Sequence, residues 1–412
     1  MHHGSINDAP SPKPANRLRS IAFLNLAHAI DHFVLLIFPA AVLGLETVFE
    51  RPYEEMIALS TAGFVAFGVF ALPAGWLADR WSRRNMMALF FLGCGASLLG
   101  AAVAPTTTTL ALALAMLGVF AAIYHPVGMA MLIEASKARP RTLAFNGVCG
   151  NLGVTLAPGI SAMMAEWFGW RAAFLIPAAL CVAIGFAYLA LVADDRAHRQ
   201  GQRSTTANVT LSPHAALAMF ACYIVISLAG GLTFNTATIA LPKLINERAG
   251  QDLTLILVGW LATGIFLCGA LAQLAVGRLV ERFPPHLMFA AVATAQFIGI
   301  VWSSYATGTA LVAALALSFA AIYAQVTVGD IVISRYIADA WRGRIFAVRY
   351  FLTFIASGAA VALIAQLYGR GGFDLVLAAV AATGLMMLIA VYAMAAVVHG
   401  AEAAHRAAQP AE

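Results

Sequence analysis

The amino-acid sequence predicts an all-α polytopic membrane protein, with twelve transmembrane helices in two pseudo-symmetric six-helix bundles. Three observations lead there. Of 412 residues, 62% are hydrophobic and 10% charged, against about a quarter charged in an ordinary soluble domain, so most of the chain must face lipid or other apolar helices. Apolar runs of about 20 residues, each able to cross a hydrocarbon core of about 30 Å, recur between short polar breaks. Two short sequence patterns also return about 200 residues later, in corresponding places.

The elements follow in chain order. Residues 1–20, rich in Pro, Ser and Asn and including His2 and His3, show neither helical periodicity nor a signal-peptide cleavage pattern, so a disordered N-terminus is expected. Six apolar runs over residues 21–45, 54–78, 86–105, 109–133, 143–165 and 171–193 form a first bundle, 21–193. The longest polar interruption, Asp194 to Pro213, reads as a flexible linker, 194–213. Runs over 214–241, 254–278, 286–305, 308–332, 343–367 and 373–398 form the second bundle, 214–398, and leave 399–412 as a tail.

Charge sets the orientation. With the N-terminus inside, 18 of the 24 Lys and Arg residues fall on the cytoplasmic side and five on the other, with Arg349 inside a span. Both termini and the linker are therefore expected in the cytoplasm, and the protein in the inner (cytoplasmic) membrane. A pI near 9.1 points to no nucleic-acid partner, because the basic residues sit in short loops between spans. Cys94, Cys149, Cys181, Cys222 and Cys268 fall in apolar runs without paired spacing and read as packing residues. No nucleophile with an adjacent base and no phosphate-cradling or ATP-binding glycine loop is present, so neither an enzyme nor an ATP-driven pump is expected.

The repeats support two related halves. "FAAIY" occurs at Phe120 to Tyr124 and again at Phe319 to Tyr323. "GWLADRW" from Gly75 is echoed by "GRLVERF" from Gly277, with Asp79 opposite Glu281 and Arg80 opposite Arg282.

The polar groups inside the spans are the candidate chemistry. "AHAIDHFVLLIFP", residues 27–39, holds His28, Asp31 and His32 in the first span, with Asn25 one turn earlier. At 1.5 Å per residue Asp31 lies about 15 Å above Ile21, near the bilayer centre. The i, i+3, i+4 spacing converges these groups on one stripe. Three chemistries fit: Asp31 as carrier of a coupling proton with the histidines beside it, a transition-metal site built from His28, His32 and Asp31, or a hydrogen-bonded cluster that only joins helices. His125 precedes Pro126, whose missing N–H can kink the fourth span beside a cavity. Tyr124 and Tyr323 hold matching repeat positions and are candidates for opposite cavity walls. Asn25, Asn151, Asn235 and Gln325 are further candidate cavity groups, and Asn146, Gln273, Gln296 and Gln366 also offer neutral hydrogen bonds. Asp330 and Arg349 can form an ion pair, either a gate or a static strut. With so few charges, the cavity suits an uncharged, amphipathic or weakly charged small organic molecule.

"GWLADRWSRRNMM", Gly75 to Met87, resembles the signature loop of the major facilitator superfamily. Gly75, Asp79, Arg80, Arg83 and Arg84 match it, and Ser82 replaces the usual glycine after the acid. The resemblance covers about residues 21–398. It implies a monomeric secondary transporter in which two bundles rock about a central cavity, with Asp79 and the basic cluster locking the inner gate. "IYHPVGMAM", with His125 and Pro126, and the His28, Asp31 and Pro39 pattern look like the branch containing fosmidomycin-resistance-type exporters. "GNLGVTLAPG", Gly150 to Gly159, resembles the glycine-proline segment of antiporters. These likenesses imply proton-coupled export of small organic compounds, driven by an ion gradient without a cofactor. Uptake of a nutrient or of copper or nickel, and a non-transporting receptor or scaffold, stay open as alternatives.

Overall fold

The computed structural model describes residues 14–137, 139–193, 213–250, 253–336 and 339–407. The expected disorder over 1–13, the linker over 194–212 and the tail end over 408–412 lie outside the described residues.

The first span, α1, runs Pro14–Phe49. It begins earlier than its apolar run, so residues 14–20, expected as disordered, are helical. Tertiary contacts explain the difference: the Arg17 guanidinium donates to the Ala135 carbonyl and Asn16 Oδ1 accepts from the Ala193 N–H. The second span is built of α2, Tyr53–Ala58, and α3, Thr61–Arg80. α4 is Arg83–Ala102, its first turn capped by the Ser82 hydroxyl. The fourth span joins α5, Thr107–Ala121, through a π-helical turn at Tyr124–Gly128 to α6, Met129–Ser136. α7, Pro140–Phe168, and α8, Ala172–Leu191, complete the first bundle.

The second bundle contains α9, Pro213–Arg248, α10, Leu255–Leu279, α11, Pro285–Tyr305, and α12, Gly308–Tyr336. Its last element, α13, is Asp339–Ala407, 69 residues interrupted by non-helical backbone at Gly371 and Gly372. An unbroken helix of that length would reach about 100 Å, three times the hydrocarbon thickness. Gly372, at φ 60°, takes a conformation that a Cβ would oppose, and the chain turns there. Two crossings result, and twelve among the described residues. Ala-rich sequence past residue 399 carries the helix to Ala407, into the expected tail.

α1 packs on α7, α3 on α5 and α4 on α8 in the first bundle; α9 packs on α13, and α10 and α11 on α12, in the second. The bundles meet along two seams, α7 with α10 and α3 with α13. Gly259 brings α10 against α7: a Cβ there would stand 2.7 Å from the Pro158 carbonyl oxygen. Many large apolar side chains, among them Leu72, Leu112, Phe186 and Ile389, stay exposed, as a lipid-facing surface requires.

Candidate functional site

At the end of the molecule where α1 and α9 finish, the bundles are joined by charged and aromatic groups. Lys243 on α9 is 9% exposed; its Nζ lies 2.8 and 3.1 Å from the Glu46 carboxylate oxygens on α1 and sits over the Tyr53 ring. Tyr53 contacts Tyr368 edge-on at 4.8 Å between centroids, and Tyr368 donates to Glu247. Glu166 caps α10 by accepting from the Ile256 N–H at 2.9 Å. Thr263 Oγ1 accepts from the Gly159 N–H at 3.1 Å.

Deeper, the first bundle holds a compact polar cluster. α1 presents His28, Asp31 and His32 within one turn, and the π-helical turn brings in His125. Pro126 lacks the N–H that a regular α-ladder needs, and the widened turn re-aims the neighbouring side chain, a frequent device at functional sites. His125 Nε2 lies 3.3 Å from Asp31 Oδ2. The His125 ring is 5.5 Å from both His28 and His32, which are 5.1 Å apart.

Asn146 of α7 orders this cluster. Its Nδ2 donates to the Leu24 carbonyl and Asn25 Oδ1 at 3.3 and 3.0 Å, and its Oδ1 accepts from Tyr124 OH at 3.1 Å. His28 Nδ1 lies 2.8 Å from the Asn146 backbone oxygen and 2.9 Å from Oδ1. Both are acceptors, so Nδ1 carries the proton and the neutral ring keeps its lone pair on Nε2. Tyr124 stacks on His28 at 4.7 Å.

Asp31 is completely buried. Its contact with His125 is close enough for an ion pair but misaligned for a hydrogen bond, and among the described residues its oxygens have no hydrogen-bond partner. A buried carboxylate without donors is costly, and a proton or a neighbouring positive charge relieves that cost. His125 also faces the seam between bundles: Phe354 of α13 lies 5.1 Å from it and 5.0 Å from Phe67 of α3.

The other candidates fall elsewhere. Asn151 donates to Gln273 across the α7–α10 seam at 2.5 Å, while Asn235 donates to the Gly231 carbonyl of its own helix. Gln325 is buried beside Gly230. Tyr124 and Tyr323 do not line opposite walls, because both rings are buried within their own bundles; Tyr323, 2% exposed, packs against Phe234 and Phe266. In the signature loop Arg83 bridges Asp79 at 2.9 Å and Glu134 at 3.3 Å. Arg80 lies over Trp76, Arg84 donates to the Val192 and Leu189 carbonyls, and Gly75 lies against Pro126. Asp330 and Arg349 form an ion pair inside the second bundle.

Sequence reasoning listed Asn146 among several amides without seeing its central place. The spacing of Asn146, Gly150 and Gly153 on one face of α7 is the signal that marks it.

Residues 21–258 match the family model of the Major Facilitator Superfamily. Over 131 residues the chain is 35% identical to the puromycin resistance protein of Streptomyces alboniger, an alignment covering 30% of this chain and 26% of that protein. Over 180 residues it is 28% identical to the lincomycin resistance protein of Streptomyces lincolnensis, covering 42% and 36%. The fold is similar to the crystal structure of a D-xylose-proton symporter, with TM-score 0.71 and 14% identity over 92% of this chain and 97% of that one.

Proposed function

The chain belongs to the Major Facilitator Superfamily, and from that premise we propose that it exports small organic compounds across the inner membrane in exchange for protons. It is a multi-pass membrane transporter and not an enzyme. The observation that carries the coupling is Asp31: fully buried at mid-span, without a hydrogen-bond donor among the described residues, and 3.3 Å from His125 Nε2. In this reading Asp31 holds the coupling proton and His125 relays it, with His28 locked by Asn146 in the tautomer that leaves Nε2 open.

Phe354 ties this chemistry to the motion. It belongs to the second bundle and covers His125, which belongs to the first, so parting the α3–α13 seam uncovers the histidine. Protonation and access then change together, as alternating access demands. The resistance relatives, named for puromycin and lincomycin, support an organic substrate and the outward direction. The protein works as a monomer with both termini in the cytoplasm, and the gradient supplies its energy.

The test is Asp31→Asn in proteoliposomes with an imposed pH gradient, assayed against a panel of organic compounds. The variant should stay folded, by thermal unfolding and monodispersity, and lose gradient-driven flux. Wild-type flux from a folded Asp31→Asn protein would remove the coupling role.

A further inference from the structure

Carrying a proton requires Asp31 and one neighbour, yet three imidazoles from two spans stand together beside it. One nitrogen from each of His28, His32 and His125 lies within 4.8 Å of the other two. We propose that this cluster binds a divalent first-row transition-metal ion, with the three imidazole nitrogens as ligands and the Asp31 carboxylate, beside His125, as the neighbouring negative charge. The inference rests on this geometry and not on the transport reading.

Four observations support it. Metal–nitrogen distances of about 2.0–2.1 Å place tetrahedral ligand atoms about 3.4 Å apart, and the Asp31 to His125 separation is already 3.3 Å. The imidazole nitrogens, within 4.8 Å of one another, need to draw together by up to about 1.4 Å to reach that spacing. Among the described residues no hydrogen bond ties His32, which is packed against the His28 and His125 rings. The second observation is the outer shell: His28 donates Nδ1–H to the Asn146 carbonyl, which leaves Nε2 as the ligand atom and fixes the ring, as carbonyl partners do for metal-bound histidines. The third is the Asp31 carboxylate itself, buried and without a hydrogen-bond partner among the described residues, a negative charge that offsets part of the ion's. The fourth is the apolar wall: Phe67 and Phe354 flank His125 and limit competition from water. Nitrogen and carboxylate ligands suit Zn(II), Co(II) or Ni(II), while thiolate and thioether ligands would have favoured Cu(I). The sequence offered the His28 and His32 pair with Asp31, and His125 as a further candidate from the fourth span. His125, from a distant span, makes the site complete.

The experiment uses the full-length protein, purified without a polyhistidine tag, stripped with chelator and titrated with Co(II). The expected result is one cobalt per chain, with the visible absorption of a four-coordinate nitrogen–oxygen site, displaced by Zn(II). Loss of an outer-shell partner alone weakens metal sites about 10- to 100-fold, so His32→Gln and His125→Gln should each weaken binding at least tenfold. The His2→Ala/His3→Ala double variant should bind as the parent does. Thermal unfolding verifies that each variant is folded, and His32→Gln, which breaks no hydrogen bond, decides the matter should His125→Gln unfold. The proposal is overturned by the absence of a stoichiometric cobalt spectrum, by one that survives the His32 and His125 changes, or by one that vanishes with His2 and His3. The readout needs neither substrate nor gradient, so its failure is separable from failure of the Asp31→Asn flux test.

Discussion

Gly150→Ala tests the seating of the cluster, because one added methyl group would strike it. A Cβ at residue 150 would stand 2.5 Å from His28 Nε2, 2.7 Å from Cε1 and 2.8 Å from Cδ2. Favourable heavy-atom contacts begin near 3.5 Å, so the ring must retreat by about 1 Å. The His28 hydrogen bonds to Asn146 are 2.8 and 2.9 Å long, and a shift of that size takes them beyond the useful range of about 3.2 Å. Overpacking costs about 1–3 kcal/mol and a broken buried hydrogen bond about 1–3 kcal/mol. Alanine's better helix propensity returns up to about 1 kcal/mol. The net expectation is a loss of about 1–5 kcal/mol in unfolding free energy, together with reduced proton-driven flux. Two neighbours on α7 calibrate the result. Gly147 has nothing within 4 Å of a built Cβ, so Gly147→Ala should be neutral or slightly stabilising. A Cβ at Gly153 would lie 2.1 Å from the Ala29 carbonyl oxygen, which is backbone and cannot rotate away, so Gly153→Ala should be the most damaging. Reversible denaturation of the purified protein in detergent gives the ranking. Equal stability and flux for Gly150→Ala and Gly147→Ala would refute the described fit of α1 on α7.

Two further predictions address the motion between bundles. Lys243→Met removes a charged hydrogen bond across the end where α1 and α9 finish; at about 1–3 kcal/mol for such a bond, opening at that end should become about 10- to 100-fold more populated, read as a longer distance between spin labels at exposed Val48 and Tyr305. An unchanged distance distribution would show that this pair does not hold the end closed. Phe354→Ala uncovers His125 and should raise proton leak into proteoliposomes without substrate, whereas a leak equal to that of the parent would remove Phe354 from any gating role.

The legible part of the sequence was whatever follows from length and period. Twelve crossings were readable because a hydrocarbon core demands about 20 apolar residues each time, and the i, i+4 spacing placed His28 and His32 on one face. The start of α1 was not readable, because residues 14–20 are held by Ala135 and Ala193, which are remote in sequence. Spacing also cannot say which neighbouring span faces a helix, so His125 entered as a separate candidate and Asn146 as one amide among several. Only the Gly150 and Gly153 spacing on its face of α7 sets Asn146 apart from Asn235, yet one orders the cluster and the other bonds its own helix. Lys243 counted only toward orientation, since its partner Glu46 lies in the other bundle.

The two halves share a fold but divide the work unequally. His28, Asp31, His32 and His125 all belong to the first bundle. The second bundle's charged pair, Asp330 and Arg349, is already matched within its own helices. What the second bundle brings to the cluster is an aromatic ring, Phe354, seated on His125. An apolar cover of this kind changes the cluster's access to water without adding or removing a charge. In the proposed mechanism a proton or other cation meets the cost of the buried Asp31 carboxylate, and its arrival depends on where that cover stands. Coupling of that kind would need no charged partner on the second bundle; it would need the second bundle to move.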